Sequence, residues 1–180
     1  MQRALATEAE HPVPPVILVT GGARSGKSSH AEARTRALPG APVYIATARP
    51  SDDEMRARIA RHIADRGAGW DTVEEPFDLV GALDRTDGRG PRLVDCLTLW
   101  LSNLMFDGRD WEPQAAALTG ALARQASPVV LVSNEVGMGI VPDNALARDF
   151  RDAQGWLNQR VAQVADEVEF VVSGLPLRVK

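Results

Sequence analysis

The chain has a single cysteine, Cys96, so no internal disulfide can form, and its three histidines are too scattered to give a zinc-ligand spacing. Lysine is almost as scarce: of 20 basic residues only Lys27 and Lys180 are lysine. No apolar stretch reaches the roughly 18 residues of a transmembrane helix, and the first residues lack the apolar centre of a signal peptide. Runs of like charge are missing too. With a net charge of −4, an electrostatic grip on nucleic acid is not expected. These absences point to a cytoplasmic protein that binds no nucleic acid and does not insert into a membrane.

At 180 residues, 44% of them hydrophobic, the chain can bury one core and is too short for two ordinary domains. Residues 1–14 include Glu8, Glu10, Pro12 and Pro14 and little that could pack. They are expected to form a disordered leader, with a single nucleotide-binding domain over 15–180.

That assignment rests on residues 16–28. An apolar, β-branched run ends in Thr20, and Gly21, Gly26, Lys27 and Ser28 then fall at the spacing G-x-x-x-x-G-K-S of a P-loop. Glycines let successive backbone N–H groups curl around a polyphosphate, and the helix that follows presents its positive end to the same anion. Lys27 is placed to reach the β/γ-phosphates and Ser28 to ligate Mg²⁺. A chain that otherwise uses arginine keeps a lysine where a compact ammonium is needed rather than a planar fork.

Along the rest of the chain, apolar strands alternate with amphipathic helices. Helix is expected over 29–38, strand over 43–47, and helix over 51–66, opened by a capping box from Ser51 to Glu54 with Met55, Ile59 and Ile63 on its core face. An edge strand over 72–75 and a helix from Pro76 to about residue 84 follow, then a surface loop over 84–91. A strand over 92–95 ends in Asp95, the place where P-loop enzymes hold a carboxylate that supports Mg²⁺. Helices over 97–104 and 111–125, a strand over 129–133, a glycine-rich loop over 134–142, a long helix over 146–164 and a strand over 168–172 complete the alternation. Residues 175–179 are expected to add an antiparallel edge strand. The fold class is α/β, a three-layer, doubly wound, mainly parallel sheet of the P-loop NTPase kind, with its ligand at the carboxyl ends of the strands.

His62 has Arg58 and Arg66 four residues to either side, and two guanidiniums there would favour a neutral, nucleophilic imidazole while attracting phosphate. An ordinary surface histidine is the competing reading. Arg148 and Arg151 are either solvated helix residues or contacts for a transferring phosphoryl group, and Glu135 is a strand-end carboxylate of low weight. Cys96 reads as core packing. A D-x-x-G match over 87–90 precedes a strand instead of following one, and N-K-x-D is absent, which argues against a regulatory GTPase.

Together, Gly21-Gly22-Ala23-Arg24-Ser25-Gly26-Lys27-Ser28, Tyr44-Ile45-Ala46-Thr47-Ala48, Arg58-Ile59 with His62, Val94-Asp95-Cys96-Leu97-Thr98, the 134–142 loop and Phe150-Arg151-Asp152 with Asn158-Gln159 closely resemble the bifunctional adenosylcobinamide kinase / adenosylcobinamide-phosphate guanylyltransferase family of cobalamin biosynthesis. The likeness runs over residues 16–180. It implies phosphorylation of adenosylcobinamide by ATP or GTP, then transfer of GMP from GTP to adenosylcobinamide phosphate through a guanylylated histidine. The matching position is His62, where some relatives have two adjacent histidines and this chain has Arg61 first. The resemblance also implies nucleotide contacts from Gly21, Gly22, Ala23, Arg24, Ser25, Gly26, Lys27 and Ser28, from Thr47, Ala48 and Arg49, from Ile63, Ala64, Asp65 and Arg66, and from Glu74 and Asp95. It further implies a homotrimer. A P-loop small-molecule kinase without guanylyl transfer is the alternative.

Overall fold

The computed structural model describes residues 14–50 and 53–180, and of residues 54, 55, 58 and 65 the backbone alone. The expected leader, except for Pro14, lies outside the described residues, as does the Ser51 cap. Seven strands form one sheet: β1 (Val16–Gly21), β2 (Val43–Ala46), β3 (Asp71–Glu74), β4 (Arg92–Asp95), β5 (Val129–Asn134), β6 (Glu167–Val172) and β7 (Leu175–Arg178). Their order is β3-β2-β4-β5-β1-β6-β7. All neighbours pair in parallel except β7, which turns back antiparallel on β6. The α/β class, the doubly wound sheet and the antiparallel edge strand are as the sequence predicts.

Alternation along the central strands fills both faces. Val16, Leu18, Val129 and Leu131 join one core, under α3 (Leu79–Thr86), α4 (Leu97–Phe106), α5 (Trp111–Leu122) and α6 (Ala145–Val164). Ile17, Val19, Val130 and Val132 join the other, with Ala31 of α1 (Lys27–Arg36). Burial on both faces is what makes these strands read as continuous apolar runs. The small Ala31 and the buried Thr35, whose hydroxyl donates to the Ala31 carbonyl (2.8 Å), bring α1 close to the sheet.

Three expectations need correction. At Ile59 and Ile63 the apolar stripe of α2 (Asp53–Arg66) does not face the core: Ile59 is half-buried, Ile63 is 51% exposed, and both line an open cleft. Pro76 does not open α3. Glu75 Oε1 accepts from the Phe77 and Asp78 N–H groups, and Asp78 caps the helix by accepting from Gly81 N–H (2.9 Å). α1 begins at Lys27, capped by Gly26, and ends at Arg36, two residues before the expected Leu38.

Because α3 runs on to Thr86, the loop expected over 84–91 is shorter, 87–91, and it carries a structural anchor. Arg92 is fully buried, and its guanidinium donates to Asp87 (2.6 Å), Gln125 Oε1 (2.7 Å) and the Ser127 carbonyl (3.1 Å). Burial pushes the Asp87 carboxyl up, but N–H groups of Ala126 and Gly88 and the Arg92 guanidinium outweigh it and hold the group below its ordinary value. A carboxyl lowered in the fold stabilises above its unfolded value, and that contribution fades as pH falls through the folded value. Asp87→Asn should therefore cost about 3 kcal/mol near neutral pH, the scale for a buried ion pair that loses one partner. Denaturant titrations of wild type and variant should converge in acid, below about pH 4; an unchanged or pH-independent difference would contradict this assignment.

Candidate nucleotide site

The turn after β1 is shaped by two glycines. A Cβ at Gly21 would lie 2.6 Å from both the Val171 carbonyl and Ser25 Oγ, and Gly26 has φ +92° with the Gly174 Cα only 3.1 Å from a Cβ. The Gly174 N–H donates to the Ser25 carbonyl (2.8 Å), so the β6–β7 turn backs the loop from behind. Ser25 N–H donates to Gly22 O (3.3 Å), and Arg24 takes a left-handed φ of 56°. No side chain caps α1. Its first-turn N–H groups therefore face no competitor for an anion. Lys27, 8% exposed, donates from Nζ to Gly22 O (3.0 Å), which draws the ammonium across the loop.

Beside the loop opens a cleft of about 370 Å³, and Lys27, Ser28, His62, Arg66, Glu74 and Asp95 are among its lining. It also reaches Ala48 and Ile63. Asp95, at the end of β4, is half-buried and accepts from the Tyr44 hydroxyl (3.0 Å). Thr47 is fully buried and turned inward, exchanging hydrogen bonds with the Cys96 N–H and carbonyl (2.8 Å each). Arg49 packs its guanidinium 5.1 Å from the Phe77 ring centre, Ala64 is exposed, and the Asp65 side chain and that of Arg58 lie outside the description.

Arg66 departs from the simple picture of a cation flanking His62. It is 8% exposed, stacked 3.5 Å over the Tyr44 ring, and donates to Thr72 Oγ1 (3.2 Å). Neither Arg148 nor Arg151 lines the cleft. Arg148 donates to the Pro142 and Asp143 carbonyls (3.0 and 2.8 Å), bracing the 134–142 loop, while Arg151 pairs with Asp152. The Glu135 carboxylate accepts from Gly137 N–H (2.6 Å), and its own N–H donates to Gly21 O (3.0 Å), which ties that loop to the phosphate cradle. Burial and the Asp95 charge push the Cys96 thiol up to about 11, so it is packing and not a nucleophile.

Sequence reasoning misses one residue that lines the cleft, Tyr44, and one whose charge acts on the cleft residues without lining it, Glu32. Tyr44 shares a sheet face with Asp95 because Ala46 pairs in register with Asp95 and Tyr44 lies two residues earlier. Glu32, four residues beyond Ser28 on α1, has its carboxyl raised by burial and by Asp95, against the opposing charges of Arg66, His62 and Arg36. An i+4 spacing from the P-loop serine was the available signal for it.

A glycine-lined anion cradle at the carboxyl end of a central parallel strand, with a lysine drawn over it and a carboxylate on the next strand but one, defines a P-loop nucleotide-binding protein. Comparison with known proteins narrows the class. The chain belongs to the family described as cobinamide kinase / cobinamide phosphate guanyltransferase, which residues 17–179 match. It is 46% identical over 168 residues to the bifunctional adenosylcobalamin biosynthesis protein CobP of Pseudomonas aeruginosa, covering 91% of this chain and 96% of that one. To the bifunctional adenosylcobalamin biosynthesis protein CobU of Salmonella typhimurium it is 45% identical over 182 residues, 92% and 99% of the two chains. A chain from the structure of a prototypical ATPase of the type III secretion system of pathogenic bacteria superposes with a TM-score of 0.52 at 10% identity, covering 91% of this chain and 56% of that one. That likeness speaks to fold alone, and this chain spans about half the length of the ATPase chain.

A carboxyl raised in the fold destabilises once ionised: the penalty is absent below the unfolded value and complete above the folded one. Glu32→Gln should accordingly be more stable than wild type at pH 8, with the gain vanishing as pH falls to about 4.5. Denaturant midpoints across pH test this. A gain that persists in acid, or a loss at pH 8, would show that Glu32 is not held against its own desolvation.

Proposed function

We propose that this cleft performs both reactions of the family on one nucleotide cradle. The observation that carries the reading is that Lys27, Ser28, Asp95 and His62 open onto the same cleft. In the kinase step the hydroxyl of adenosylcobinamide attacks the γ-phosphorus of ATP or GTP, the bond from that phosphorus to the β–γ bridging oxygen breaks, and the nucleoside diphosphate leaves, with the loop N–H groups and Lys27 meeting the negative charge. In the second step an imidazole nitrogen of His62 attacks the α-phosphorus of GTP, the bond to the β-phosphate breaks, and pyrophosphate leaves. A phosphate oxygen of adenosylcobinamide phosphate then displaces the imidazole, giving adenosylcobinamide-GDP.

The donor set suits Mg²⁺, which takes one or two hard protein oxygens together with phosphates and water. Ser28 and Asp95 would hold it, and the ion would neutralise charge building on the polyphosphate. The contacts from Gly21–Ser28, Ala48, Arg49, 63–66 and Glu74 belong to this reading, with Thr47 acting through its grip on Cys96. So do a homotrimeric assembly and a cytoplasmic location; among the described residues no helix is long and apolar enough to cross a membrane.

GTP labelled at the α or the γ position separates this reading from a kinase without guanylyl transfer. Wild type should acquire covalent α-label that is stable in base and labile in acid, as a phosphoramidate is. His62→Ala should lose that label and guanylyl transfer while keeping phosphorylation of adenosylcobinamide within a few-fold of wild type. Persistent α-label on His62→Ala, or an acid-resistant adduct, would place the nucleophile elsewhere.

A further inference from the structure

Tyr44 is the only tyrosine of the chain, and neither reaction above employs it. Its hydroxyl donates to Asp95 Oδ2 at 3.0 Å. One face of its ring is covered by the Arg66 guanidinium, 3.5 Å from the centroid, and Trp70 meets it edge-on at 5.8 Å. Arg36 lies 4.8 Å from the Trp70 centroid and donates to the carbonyls of Arg66 and Ala68 (3.1 Å each). The four side chains join α1, β2 and the end of α2, one turn beyond His62. Packing alone would be served by phenylalanine; the hydroxyl is spent on a carboxylate that lines the cleft.

We infer that Tyr44 is a positioning residue for phosphoryl transfer: its hydroxyl holds one oxygen of Asp95 so that the carboxylate presents the other to a Mg²⁺·nucleotide in the cleft. This rests on the metal-supporting reading of Asp95. No proton leaves Tyr44 in the process. An ordinary phenol is protonated at neutral pH and so remains a donor. The Arg66 stack fixes the ring that carries the hydroxyl, and cation–π contact with a desolvated guanidinium makes that ring hard to displace.

Tyr44→Phe keeps the ring and the stack and removes only the hydroxyl. The readout is equilibrium binding of a non-hydrolysable GTP analogue, titrated with Mg²⁺ and also measured without it. The half-saturating Mg²⁺ concentration should rise about tenfold, as for loss of one hydrogen bond to a charged group, while binding without Mg²⁺ stays at the wild-type level. In an Asp95→Asn background Tyr44→Phe should add no further shift, because its effect passes through that carboxylate. If Asp95→Asn moves the Mg²⁺ titration and Tyr44→Phe does not, Tyr44 does not position it. If Tyr44→Phe weakens binding equally with and without Mg²⁺, its role is structural and the inference is overturned. If Asp95→Asn itself leaves the titration unmoved, the reading of Asp95 fails first.

Discussion

The space behind the phosphate cradle governs how the rest of the chain is arranged. The end of β6 at Val171 and the β6–β7 turn at Gly174 press on the loop, and only glycine at 21 and 26 lets the backbone pass there. The edge strand β7 is thereby more than a sheet extension, because the turn that starts it backs the phosphate loop. Glu135 donates to the Gly21 carbonyl from the other side, so neighbouring strand ends on both flanks of β1 brace a loop that must hold a highly charged ligand.

Once the loop is set, the cleft collects charges of both signs at short range. Lys27 and Arg66 are buried cations; Asp95, Glu32 and Glu74 are the carboxylates around them. Burial and the Asp95 charge raise the Glu32 carboxyl, against the opposing charges of Arg66, His62 and Arg36. The arginine bias of the chain fits this arrangement. Arg66 covers the Tyr44 ring with a planar guanidinium, a contact an ammonium would make less well, while the cradle keeps its single lysine.

The fold was legible because two-sided burial writes itself into the sequence as short apolar runs, and the P-loop because its glycines and lysine are chemically required. What lay hidden depended on partners far away in sequence. Met55, Ile59 and Ile63 mark an apolar stripe, but periodicity identifies a face without saying what it meets, and at Ile59 and Ile63 it meets the cleft. Asp87 fell in an expected surface loop and in a D-x-x-G match of no use to a GTPase; only the fold brings Arg92 and the 126–127 backbone to it. Tyr44 and Asp95 lie 51 residues apart, and only the strand register makes them neighbours. His62 is an exposed helical histidine whose proposed role rests mainly on resemblance: Arg58 and Arg66 at four residues to either side hinted at it, but Arg66 is stacked on Tyr44.

The central claim is that both reactions depend on one polyphosphate cradle. It is tested most directly by exposing folded Lys27→Ala protein, its folding verified by thermal melting, to α-labelled GTP. If the cradle that serves γ-phosphoryl transfer also positions the α-phosphorus for His62, the variant acquires no covalent label even at GTP concentrations that saturate wild type. Labelling at the wild-type rate in a protein without Lys27 would mean that the histidine draws on a separate nucleotide site, and the single-cradle account would be wrong.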